Sequence, residues 1–218
     1  MKSQHQTASR VRAMAGAVLL ALIAGTASAQ GPGEHVRHLI YLPADRAEAD
    51  SDAIAKAFVD AGFQVTKLSA QENAMNYARH AAREVKDLLA QGVAPEDISV
   101  VGAGIGSRAT VLSSAMSNNR GVSYVLLGQC DAGLKDQYRF HMSGRVFGIH
   151  DEADSSSHSC RSLWRDSPRV SAQRELVTTT GLGAALFDRP RDEWLRPTLT
   201  WTTQGQVDVG ALKVSQSN

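Results

Sequence analysis

An α/β fold, a mainly parallel sheet flanked by helices on both faces, is what this sequence predicts, and three observations carry the prediction. Short apolar runs alternate along the chain with stretches of helical periodicity, the pattern of βαβ units. Residues 98–102 (ISVVG) are apolar and β-branched without alternation, as in a strand covered on both sides. The 218-residue length, with 43% hydrophobic and 21% charged residues, suits one compact domain with a sizeable core.

The elements follow in order. Residues 36–42 (VRHLIYL) read as a strand and residues 52–60 (DAIAKAFVD) as a helix closed by Gly62. Residues 63–68 (FQVTKL) are strand-like. From residue 76 to 90 the apolar side chains Ala78, Ala81, Ala82, Val85, Leu88 and Leu89 form the stripe of a helix with one buried face. Gly92 ends it, and Pro95-Glu96-Asp97 turns into the strand at 98–102. A Gly-rich turn and a helix over residues 107–117 come next, then strands at 123–127 (SYVLL), 145–149 (RVFGI) and 176–180 (LVTTT). Trp194, Leu195 and Trp201 mark a last amphipathic segment. The two tryptophans, seven apart, are expected to pack that helix onto the sheet.

The first 29 residues read as an address. Lys2, Arg10 and Arg12 precede the apolar run MAGAVLLALIAG, and Ala27-Ser28-Ala29 supplies small residues for cleavage before Gln30. The run is short of the ~20 residues that span a bilayer, which argues against an uncleaved anchor. A signal peptide over 1–29 and one domain over 30–218 make the mature protein periplasmic or secreted. Its net charge of −2, 20 basic against 22 acidic residues, offers no basic excess for a phosphate backbone. No nucleic-acid partner and no membrane anchor after cleavage are therefore expected. In an oxidising compartment Cys130 and Cys160 are the minimum for one disulfide. A zinc site competes with that pairing, but two thiols without C-x-x-C spacing match no established motif, and no metal is expected.

The turn Gly102-Ala103-Gly104-Ile105-Gly106-Ser107, between a strand and a helix, has two readings. As a dinucleotide fingerprint running from Gly102 to Gly106 it nearly fits. Two strands and two helices precede it, however, and the next strand runs into Gly128 and Gln129 where a ribose-binding acid belongs. No cofactor is expected. The other reading is a nucleophile elbow, G-x-S-x-G, with Gly102 and Gly106 as the flanks and Gly104 in the place of the serine.

The chain from about residue 36 to 201 resembles exported bacterial α/β-hydrolase-fold proteins. The matching stretches are LIYL at 39–42, Gly62-Phe63, Gly92-Val93, residues 97–106, VLLG at 125–128 with Cys130, residues 148–154 with Ser159-Cys160, and residues 180–201. The resemblance implies an α/β-hydrolase-like fold and a catalytic set with three of four places lost. Gly104 stands for the serine, and Ala184, in GLGAA, for the histidine. Pro43-Ala44 stands where relatives carry an oxyanion-loop His-Gly. The acid survives as Asp151 or Asp154. A triad acts as a unit, and losing serine or histidine alone costs on the order of a million-fold. The reading is a non-catalytic hydrolase-like protein with a residual role in binding a small molecule or a protein.

Candidates for rescue have plainer roles. Ser107 is a displaced nucleophile in the alternative reading, an active serine-type esterase, and otherwise a helix cap. His150, following a strand beside Asp151, joins His141 and His158 as candidates for a base or ligand at the carboxyl rim. Asp151 and Asp154 are turn formers in DEADSSS. Trp164 is expected to cover the disulfide.

Overall fold

The computed structural model describes residues 35–44 and 48–205. Six strands, β1 (Arg37–Leu42), β2 (Phe63–Lys67), β3 (Ile98–Ala103), β4 (Ser123–Leu127), β5 (Ser143–Asp151) and β6 (Arg169–Thr178), form one sheet in the order β2-β1-β3-β4-β5-β6. All five pairings are parallel. Between them run the helices α1 (Glu48–Asp60), α2 (Ala74–Ala90), α3 (Ile105–Ser117), α4 (Leu134–Gln137) and α5 (Arg161–Trp164), and α6 (Asp192–Gln204) follows the last strand.

Alternate strand residues feed two separate cores, one on each face. Ile40 and Leu42 of β1, Val100 of β3 and Tyr124 and Leu126 of β4 pack with α2, α3 and the short α4 and α5. Leu39 and Tyr41, Val101, Val125, Leu127, Phe147 and Ile149 pack on the other face with Ile54 and Phe58 of α1 and with Trp194 and Trp201 of α6. The central strands thus bury both faces, which is why their sequences lack polar alternation. Both α6 tryptophans are fully buried, Trp201 stacking near Phe147 with ring centroids 5.4 Å apart. The Arg145 guanidinium lies over the Trp201 ring, 5.4 Å from its centroid.

The last two strands differ from their expected limits. β5 runs past 145–149 at both ends, so His150 lies within the strand rather than after it. β6 begins seven residues before Leu176 and stops short of Thr179 and Thr180. Its first half lies on the open edge of the sheet, and its exposed Arg169, Gln173 and Arg174 hide the strand from a search for apolar runs. The short helices α4 and α5 have too few residues to show a period.

Cys130, after β4, and Cys160, at the start of α5, form a disulfide with their Cα atoms 4.7 Å apart. Trp164 lies in the same buried cluster. A side chain at Gly148 of β5 would collide with Cys160 Sγ and touch Trp164, so this glycine lets the bridge and the indole rest on the sheet. The signal-peptide reading of 1–29 lies outside the described residues. Among those described, no helix is long and apolar enough to cross a membrane.

Candidate functional site

The chain reverses direction across the sheet between β1 and β3, and the carboxyl ends of those strands frame the crevice where parallel α/β sheets bind ligands. Gly104 sits there, between β3 and α3, with φ +55° and ψ −125°. That conformation is costly for any residue with a side chain. A Cβ on Gly104 would also approach the Ala44 Cβ to 2.9 Å.

The flanking glycines serve the turn itself. A Cβ on Gly102 would fall 2.2 Å from the Gly106 carbonyl oxygen, and one on Gly106 would fall 2.1 Å from that of Leu42. Both are therefore used for packing α3 against its own sheet. The spacing that resembles a dinucleotide fingerprint has this internal cause.

Gly104, Ala184, Asp154 and Ala44 line one small cavity, together with Ala103, Leu127, Gly128, Gln129 and Phe187. Its volume is about 20 Å³, space for about one water molecule and none for a pyrophosphate. Asp154 is 6% exposed. Its Oδ1 accepts from the Ser156 N–H at 3.0 Å and from Ser156 Oγ at 2.6 Å, while its buried Oδ2 has no hydrogen-bond partner. After β1, the Pro43 carbonyl accepts from Tyr77 Oη at 3.3 Å. Burial, reinforced by the neighbouring Tyr41, pushes the Tyr77 phenol well above its ordinary pKa.

Asp151 faces a different task. Its Oδ2 accepts from Thr178 Oγ1, the Thr180 N–H and Thr180 Oγ1 at 2.9, 2.8 and 2.7 Å. Its Oδ1 accepts from the N–H groups of Ala153 and Gly183 at 3.0 and 3.1 Å. Burial by itself would raise its pKa. The hydrogen bonds from Thr180, Ala153 and Thr178 outweigh that effect and hold the carboxyl at about 2. Asp151 thus closes its own turn through Ala153, ties to the end of β6 through Thr178, and fastens the loop after β6, which carries Ala184, through Thr180 and Gly183. Of the two acids, Asp154 is the one beside Gly104 and Ala184.

Ser107 corrects its expected role as a cap. It lies in the first turn of α3, 1% exposed, where its Oγ is 2.7 Å from the Gly102 carbonyl and 3.0 Å from that of Leu127. The same oxygen accepts from the Leu127 N–H at 3.1 Å. The hydroxyl ties β3 to β4, and the helix N-cap is Gly104, with no side-chain cap.

The histidines do not gather. His141 precedes β5, at the amino end of the sheet and away from the carboxyl rim, and His158 is exposed in the loop before α5. His150 points to the face of the disulfide, with Nδ1 3.8 Å from Glu175 Oε1. Glu175 is not legible in the sequence as a site residue, because the edge-strand segment that carries it reads as loop.

No family model matches the chain, and no curated protein matches it significantly in sequence. Solved structures do match. A protein predicted to be a CIB-like hydrolase, from Thermoplasma acidophilum, aligns with TM-score 0.53 at 14% identity, over 78% of this chain and 87% of its own. A Lactobacillus plantarum protein proposed as a carboxylesterase aligns with TM-score 0.54 at 13% identity, over 78% and 89%. The product of gene lin2722 from Listeria innocua gives 0.54 at 10%, over 79% and 96%. The fold is α/β-hydrolase-like. At such identities the likeness extends to the fold alone, and function has to come from the side chains at the site.

Proposed function

We propose that this protein is an exported, non-catalytic member of the α/β-hydrolase fold, retained as a binding or interaction module. One observation carries the reading. None of the residues that line the elbow cavity with Asp154, Gly104 and Ala184 included, brings a hydroxyl or an imidazole, and the hydroxyl that does bond Asp154, from Ser156, belongs to its own turn. An acid with no base to orient and no nucleophile to activate does not perform triad chemistry. The small volume at the elbow favours an interaction through the outer surface over capture of a small ligand there. The disulfide and the lack of a membrane-crossing helix among the described residues are compatible with an extracellular protein.

The alternative esterase would use Ser107. Its burial and its bonds to both strand ends count against it, because a nucleophile needs a base within reach and an open approach. The test is hydrolysis of short- and medium-chain acyl esters by the purified protein, beside Ser107→Ala. Rates equal to buffer for both are expected. Turnover above buffer by the parent protein overturns the non-catalytic reading, and its loss in the variant assigns the nucleophile to Ser107.

A further inference from the structure

We propose that reduction of the Cys130–Cys160 bridge opens a site for a thiophilic divalent cation of the zinc class, held by Cys160, His150 and Glu175 with Cys130 as the fourth donor. The donor atoms of His150, Cys160 and Glu175 lie within 4.8 Å of one another, on the face of β5 and β6 that packs against α5. The Cys130 sulfur is bonded to that of Cys160 and so lies at the same place. His150 Nδ1 is buried and lacks any hydrogen-bond partner. A buried ring nitrogen left in that state is uncommon and costly, and a cation at this point would satisfy it.

The other contacts leave Glu175 able to serve. Its Oε1 accepts from the Cys160 N–H at 2.6 Å, and its Oε2 accepts from Ser159 Oγ at 3.0 Å and lies 3.0 Å from Arg161 Nε. Oε1, with one donor, keeps a further lone pair for a cation. Two thiolates and a carboxylate carry three negative charges, against two on the cation and one on Arg161. Thiolate and imidazole donors select zinc-class ions over calcium or magnesium. Tetrahedral bonds of ~2.3 Å to sulfur and ~2.0 Å to nitrogen place donors about 3.3–3.8 Å apart. The donors of His150, Cys160 and Glu175 therefore have to close by about 1 Å, while the two sulfurs, no longer bonded, part to about 3.8 Å. Solvent reaches Glu175 through an open groove of about 1010 Å³ along β6, bordered by Arg161 and Trp164.

In the oxidised protein each sulfur is engaged by the other and the site is masked. A dithiol reductant supplies two electrons and two protons: the S–S bond breaks, two thiols form, and the reductant closes its own disulfide. Binding of the cation then releases the two thiol protons to solvent.

Cobalt(II) is the probe. The purified protein is titrated with it anaerobically, before and after reduction and removal of the reductant, with near-ultraviolet circular dichroism reporting the fold. The expected result is a thiolate-to-cobalt charge-transfer band with tetrahedral visible bands in the reduced protein only, displaced by zinc. His150→Ala and Glu175→Gln each weaken cobalt binding by at least about tenfold, since loss of even an outer-shell partner costs 10–100-fold. Three results overturn the proposal: no cobalt bands after reduction, affinity in the two variants equal to that of the parent, or bands from a protein that stays unfolded with the cation bound.

Discussion

Gly104 holds the elbow in a backbone conformation that a side chain would strain, and its hydrogen faces the Ala44 methyl. Gly104→Ser therefore lowers stability by roughly 1–3 kcal/mol, read as a drop in Tm by calorimetry. An unchanged or higher Tm would show that the elbow accepts a side chain without strain. Asp151 supplies a second residue-scale prediction, this one in pH. Its carboxyl is held near 2, below the ordinary 3.8, so the folded state favours the charged form. The stability that this confers is present in full above pH ~4 and is lost as pH falls through ~2, because the unfolded chain binds the proton first. Asp151→Asn should cost about 2 kcal/mol at neutral pH, and the gap from the parent should narrow in acid. Urea midpoints at a series of pH values measure it, and a pH-independent gap would refute the assignment. By residue type and turn chemistry the two acids of DEADSSS are equivalent. Only the partners that folding brings separate them, Thr178, Thr180 and Gly183 for one and the elbow cavity for the other.

At the scale of elements, the contact of α3 with the sheet depends on missing side chains. Gly106→Ala would place a methyl 2.1 Å from the Leu42 carbonyl oxygen, against backbone that cannot turn aside. The helix must move away from β1, so the variant is expected to lose about 3 kcal/mol, at the upper end of overpacking costs. Chemical denaturation of the variant beside the parent checks it, and a midpoint within error of the parent would mean that α3 shifts freely. Periodicity makes α2 legible, since Ala78, Ala81 and Val85 recur at helical spacing and are all buried. It leaves β6 half-read because an edge strand need bury only part of its length. The exposed Arg169 and Arg174 that discourage pairing with another chain also conceal the strand, and with it Glu175.

For the whole molecule, the order of elements sets which residues meet. Gly104, Asp154 and Ala184 are up to 80 positions apart in sequence, yet they share one cavity because β3, β5 and β6 run parallel and release their loops at the same end. The same parallel arrangement puts Glu175 beside the disulfide on the opposite face. One sheet thus carries two distinct clusters, an elbow at the carboxyl ends of β3 and β4 and a thiol-histidine-carboxylate group over β5 and β6. Only the first has a sequence motif, because an elbow is a local turn whose glycines are read in one window. The second draws its donors from four separate segments.

What the sequence by itself determined was the α/β class, the strands and longer helices except the first half of β6, the sharp turn at 102–107 and the pairing of its two cysteines. These are local properties: period, β-branching, small residues at a tight turn, and a cysteine count of two. The tertiary structure decided the rest. It brought Asp154 rather than Asp151 to the elbow, engaged Ser107 in tying β3 to β4, kept His141 from the carboxyl rim, and aimed His150 and Glu175 at the disulfide. Each of those outcomes is a matter of which face and which end of the sheet a residue occupies, and strand order and register, not residue type, set both.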